Sequence, residues 1–79
     1  MEHQLARIAG KHSDYCVCKN CGVLNWYENE NCWNCGASEE DLDCSFDVVD
    51  KWIDDEYEYW TQQEGYSEEE ADYVYVRIS

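Results

Sequence analysis

The chain has 79 residues, six of them cysteine, and sets five Lys and Arg against nineteen Asp and Glu for a formal charge of −14. A chain this short makes one domain, or a mini-domain with an appendage; its core is small and usually needs a staple. The charge, with a pI near 4.1, repels nucleic acid and anionic membranes and points to a basic partner. Twelve aromatic residues set the chain apart from acidic tails that stay unfolded.

No apolar run approaches the ~18 residues of a membrane span, and no basic start with an apolar centre marks a signal peptide, so a cytoplasmic protein is expected. Residues 1–15 are short and mildly basic. Leu5 and Ile8 stand one turn apart, which suits a brief helix or an extended lead-in, and Gly10 ends whichever forms. His3 and His12 are expected to be solvated.

Residues 16–37 carry the strongest signal. Cys18-Lys-Asn-Cys21-Gly22 and Cys32-Trp-Asn-Cys35-Gly36 are two Cys-x-x-Cys-Gly turns with ten residues between them. Such a turn lets two thiolates converge on one metal, and the glycine lets the backbone fold beneath the sulfurs. Two turns complete the four-thiolate tetrahedron of a structural zinc site with Cys18, Cys21, Cys32 and Cys35 as ligands; iron takes the same set. Binding free energy on the order of 10 kcal/mol couples to folding in such modules. The paired turns favour a reducing compartment over a secreted disulfide framework. Cys16 is an alternative ligand in a Cys16-x-x-x-x-Cys21 pairing, and Cys44 reads as a plain helix residue. Between the turns, Val23 to Tyr27 reads as a short strand or loop and Glu28 to Asn31 as the turn back. Tyr15, Trp26, Tyr27 and Trp33 are expected to shield the sulfurs.

The pattern Cys18-x2-Cys21-x3-Asn25-x6-Cys32-x2-Cys35 resembles the Ran-binding-protein-type zinc finger and generic short zinc ribbons. The resemblance covers about 20 residues and implies a binding module for single-stranded RNA, ubiquitin or other proteins. This chain has Cys16 where that family carries Trp, no arginine in residues 12–37, and Gly22-Val23 where ubiquitin binders carry Thr-Phe. Only the metal ligands carry over.

Residues 38–64 predict one long helix, with Ser38 as N-cap, acids in its first turn and Gly65 as the C-terminal stop. Leu42, Phe46, Val49, Ile53, Tyr57 and Trp60 fall in an apolar stripe roughly 80° wide. Val48, Trp52 and Tyr59 flank that stripe. The other face holds Glu40, Asp43, Asp47, Asp50, Asp54 and Glu58, like-charged neighbours whose repulsion costs ~1–2 kcal/mol in total. Only Lys51 offers local relief. Ser67 to Glu70 caps a further helical turn, and Tyr73 to Ile78 alternates as a strand. Its partner is open among residues 22–27, the N-terminal stretch and the same strand of a second subunit. Residues 1–37 carry four acids and three cations, whereas residues 38–79 carry fifteen and two.

The predicted fold is a small α+β domain. Its zinc ribbon, with the lead-in (residues 1–37), packs on one long amphipathic helix and a short C-terminal strand (residues 38–79). Catalysis has no serine–histidine–acid set, phosphate loop or open metal position to work with. Rubredoxin-type redox proteins space their cysteine pairs much further apart.

The expectation is an acidic protein-binding module. A helix advances ~6 Å per four residues, near the spacing of phosphates along a nucleic-acid strand. Asp43, Asp47, Asp50, Asp54 and Glu58 would supply the charge, with Trp52 and Tyr59 as anchors. In size, charge and aromatic content the chain resembles small acidic DNA-mimic inhibitors, many phage-encoded, which implies a basic polymerase, nucleoid protein or nuclease as partner, in the host cytoplasm for a phage protein. The alternative is a zinc-ribbon adaptor or transcription-associated factor whose ribbon makes the specific contact.

Overall fold

The computed structural model describes residues 1–79. The N-terminal stretch takes both of its expected forms in succession. Strand β1 (Glu2–Gln4) leads directly into helix α1 (Leu5–Gly10), which buries Leu5 and Ile8. A 3-10 turn (His12–Asp14) passes the chain to β2 (Tyr15–Cys18), which hairpins onto β3 (Leu24–Trp26).

The predicted 38–64 helix is divided. Residues Glu39–Asp41 form a 3-10 turn and Leu42–Asp43 form strand β4; helix α2 covers only Phe46–Glu58. The physical reason lies across the chain in β2. Val17 pairs with Asp43 and Cys18 with Leu42, while Cys16 and Cys44 are joined by a disulfide. These ties hold residues 42–44 extended against local helix propensity, and Ser45 rather than Ser38 becomes the N-cap of α2. Asp43 Oδ1 accepts hydrogen bonds from the Ser45 amide at 3.0 Å and hydroxyl at 2.5 Å. Cys44 is therefore not a helix residue, and Cys16 is not an alternative metal ligand. A disulfide also sits at odds with the reducing compartment that the paired Cys-x-x-Cys turns suggest.

The far end of α2 widens into a π-helical turn (Tyr59–Gln63). Thr61 Oγ1 donates to the Tyr57 carbonyl at 2.8 Å, and the Glu64 amide reaches back five residues to the Tyr59 carbonyl at 3.3 Å. A hydroxyl competing for a helical carbonyl loosens the regular i−4 pattern. Gly65, at φ +74°, then ends the run. Helix α3 (Glu68–Asp72) opens with a complete capping box between Ser67 and Glu70. The Tyr57 hydroxyl donates to Asp72 and ties α3 to α2; burial first, then this hydrogen bond and the Asp72 charge, raise the Tyr57 pKa.

Strand β5 (Tyr75–Arg77) pairs antiparallel with β1, so the N-terminal stretch is its partner. A second sheet runs β3-β2-β4. Between the sheets and α2 lies a cluster of Ile8, Tyr15, Leu24, Val49, Ile53 and Ile78, drawn from both ends of the sequence. Within the predicted stripe Val49 and Ile53 are buried, but Phe46 is 62% exposed and stacks on His12. Neither histidine is simply solvated: His12 Nε2 lies 3.0 Å from Asp50, and His3 Nδ1 lies 2.8 Å from the buried Tyr15 hydroxyl.

Ile78 stitches the two sheets. Its side chain is fully buried, its amide donates to Met1, and its carbonyl accepts from the Trp26 amide at 2.9 Å and Asn29 Nδ2 at 2.8 Å. Ile78→Ala should cost about 2–5 kcal/mol, read as a lower urea midpoint at unchanged slope. Cys44→Ser should cost about 3–4 kcal/mol on the chain-entropy estimate for its loop, measured in the same titration. Metal content should be unchanged in both variants.

Candidate metal centre

Each Cys-x-x-Cys turn closes on itself before it meets the other. The Gly22 amide donates to the Cys18 carbonyl at 2.8 Å and the Gly36 amide to the Cys32 carbonyl at 3.0 Å. Both glycines sit at positive φ, 82° and 76°, where a Cβ would strain the backbone. The first turn is carried by β2. The second is set by the Asn31–Ser38 bridge and by the Cys32 amide, which donates to the Ala37 carbonyl at 2.8 Å.

The turns bring the sulfurs of Cys18, Cys21, Cys32 and Cys35 within 4.8 Å of one another. The cross-turn pairs Cys18–Cys35 and Cys21–Cys32 are each 3.6 Å apart. A tetrahedron with metal–sulfur bonds of ~2.3 Å has edges of ~3.8 Å. The four cysteines fit a metal ion, and they leave it no open position. Cys18 and Cys32 are buried while Cys21 and Cys35 are exposed, so the centre lies at the surface with one side packed inward.

Asn25 braces this arrangement. It is the sole buried polar residue, and its Nδ2 approaches Cys32 Sγ at 3.5 Å. Its Oδ1 accepts from the Trp33 amide at 3.2 Å and Asn29 Nδ2 at 3.0 Å. One side chain on β3 thereby fixes the second turn. Trp33 Nε1 adds a bond to the Leu24 carbonyl at 2.8 Å. Sequence reasoning placed Asn25 in the cysteine pattern without seeing this role; its fixed place between the two turns was the available signal. It also missed the Cys16–Cys44 pair, which two cysteines left over beside a complete quartet would have suggested.

The metal-free thiols ionise unevenly. Burial pushes Cys18 up to about 11. Burial also opposes ionisation of Cys32, yet the Cys35 amide, Asn25 and the Asn34 amide outweigh it and hold that thiol down at about 6. The Asn20 side chain lowers Cys35 as well. A depressed Cys32 contributes stability that is full above the ordinary thiol value of 9.0 and is lost as pH falls through about 6.

The residues predicted to meet a partner are dispersed. Asp43 lies in β4, off the helix; Asp50 is half-buried against His12. Asp47, Asp54 and Glu58 remain exposed along α2. Lys51, on the same side, pairs with Asp55 at 2.9 Å. Trp52 is half-buried and turned towards β5, lining a groove with Trp33 and Tyr75. Tyr59 is 46% exposed and its hydroxyl donates to Glu64. The predicted row of five carboxylates is thus three, because β4 and His12 claim the other two. No helix is long and apolar enough to cross a membrane.

No protein-family model, curated protein or solved structure matches the chain.

Asn25→Ala should lower metal affinity about 10–100-fold, measured by competition with a chromophoric chelator, because outer partners of metal ligands carry effects of that size. Acidification should release the metal with uptake of protons, since protons compete for all four sulfurs; chelator absorbance against pH, with the apo and loaded forms compared, checks both the direction and the proton count.

Proposed function

We propose that this chain is an acidic, zinc-stapled protein-binding module that occupies the basic surface of a nucleic-acid-binding protein, such as a polymerase or nucleoid protein, and so inhibits it as a nucleic-acid mimic. In this reading the four cysteines hold a structural Zn2+ in a small zinc ribbon. The metal keeps a small acidic fold closed and takes no part in chemistry. Cytoplasmic action, which the paired Cys-x-x-Cys turns favour and the Cys16–Cys44 disulfide opposes, is part of the proposal.

The observation that carries it is the scarcity of internal charge pairing. Nineteen acids form three ion pairs, Arg7–Asp14, His12–Asp50 and Lys51–Asp55. Asp54 and Glu58 repel each other one turn apart on α2, and Asp47 stands two turns before Asp54 with only Lys51, itself engaged by Asp55, between them. From Asp47 to Glu58 the helix rises ~16 Å, a length that matches several phosphate steps. A cationic groove on another protein relieves that repulsion and gains steered association.

The adaptor reading, in which the cysteine module makes the specific contact, draws on one observation. Cys21, Gly22, Leu24 and Trp33 line one wall of an open groove.

The test is retention of cellular proteins on the immobilised, metal-loaded chain at low and high salt, followed by assay of each retained protein for loss of DNA or RNA binding. Steep loss of retention with salt is expected. The triple variant Asp47→Asn, Asp54→Asn, Glu58→Gln should keep its metal and lose affinity by about tenfold or more, which is ~1.4 kcal/mol. Unchanged affinity in that variant ends the assignment.

A further inference from the structure

Strand β5 has one free edge. The Leu5 amide bonds to the Val74 carbonyl and the Ile78 amide to the Met1 carbonyl, with His3 opposite Val76. In an antiparallel pair the hydrogen-bonded positions alternate. The main chain of Val76, the Val74 carbonyl and the Ile78 amide therefore face β1, and the main-chain groups of Tyr75 and Arg77 face away. No other strand pairs with β5. An open edge of this kind is a template for another extended chain.

This edge borders a groove of about 370 Å³ between β5, the Cys21–Leu24 segment and α2. Leu24, Trp33 and Trp52 give it an apolar floor, and Glu56 places a carboxylate on the α2 wall. Arg77 holds its guanidinium 4.3 Å from the Trp33 ring centroid, so that aromatic face already accommodates a cation. Around α2, Trp52 and Glu56 face the groove and Asp55 stands at its rim, while Glu58 and Asp54 lie about 120° and 160° round the helix from Trp52.

We propose that the open edge of β5 takes an extended segment of a basic protein as an added strand, with alternate apolar side chains entering the groove between Trp33 and Trp52 and a lysine or arginine at the α2 rim meeting Glu56. Main-chain bonds to Tyr75 and Arg77 supply register, as in other cases of strand addition. A second copy of this chain could offer the same kind of edge, but −14 on each copy opposes that pairing. A cationic segment gains from the same charge. The inference rests on the acidic-module reading for the class of partner, and adds where and in what conformation the partner sits.

The probe is a short fluorescent peptide of alternating valine and lysine, with a control N-methylated at alternate residues so that one edge cannot hydrogen-bond. Binding is followed by anisotropy on the metal-loaded chain, and exchange of the Tyr75 and Arg77 amides by NMR. The expected result is that exchange of these two amides slows by about tenfold or more at saturation and that the methylated peptide binds about tenfold more weakly. Tyr75→Pro removes one outward amide; because Tyr75 is 62% exposed and edge positions tolerate proline, metal content should be retained while affinity falls by a similar factor. Peptide binding that leaves both amides exchanging freely and ignores Tyr75→Pro overturns strand addition while leaving the acidic-face reading intact. Edge protection that persists unweakened in a Glu56→Gln variant and in high salt supports the docking site but overturns the charge-based choice of partner. Absence of binding at low salt overturns the inference, and the acidic-face reading then rests on its own assay.

Discussion

Four sulfurs held within 4.8 Å of one another are the constraint on which this fold depends. As thiolates they repel; as thiols they leave two exposed reactive groups beside two buried ones. A metal ion bound by all four would resolve both conditions at once, and only a backbone that turns sharply beneath each pair can present the sulfurs to it. Gly22 and Gly36 make those turns, and Asn25 links the second turn to the β2–β3 hairpin that carries the first.

The rest of the core is small and assembled at long range. Ile8 and Tyr15 come from the start of the chain, Val49 and Ile53 from α2, and Ile78 from its end. Burial of this extent supplies limited hydrophobic stabilisation, so covalent and polar ties carry an unusual share. The Cys16–Cys44 bond clamps β4 to β2, and the Ile78 carbonyl joins the two sheets through Trp26 and Asn29. None of these ties passes through the exposed acids of α2. The charged face can therefore be altered without touching what holds the molecule together.

Charge and packing are distributed on opposite principles. Two of the five cations serve the interior: Arg7 donates to the buried Tyr15 hydroxyl and Arg77 covers Trp33. The acids are left to solvent, with Lys51 engaged by its own neighbour Asp55. A surface of this sign repels like-charged surfaces and attracts positive ones. The groove beside β5 differs from it, being mostly aromatic and aliphatic with one acid and one base.

Much of this was legible in the residues themselves. The two Cys-x-x-Cys-Gly turns, the Ser67 capping box, the alternating strand near the C-terminus and the Val49–Ile53 face of α2 are all local patterns, set by chirality, turn geometry and helical period. What sequence could not settle was pairing between distant segments. Residues 38–45 have helical propensity and acidic caps, yet β2 draws Leu42 and Asp43 into a sheet and Cys16 holds Cys44, which shortens the helix and removes Asp43 from its charged row. His12 likewise reaches Asp50 across 38 positions of sequence. Local chemistry fixes which segments turn, cap and alternate, because those preferences act between near neighbours; which strand lies beside which, and hence which carboxylates stay free, is decided only when the chain closes, because that depends on contacts whose partners are far apart until the fold exists.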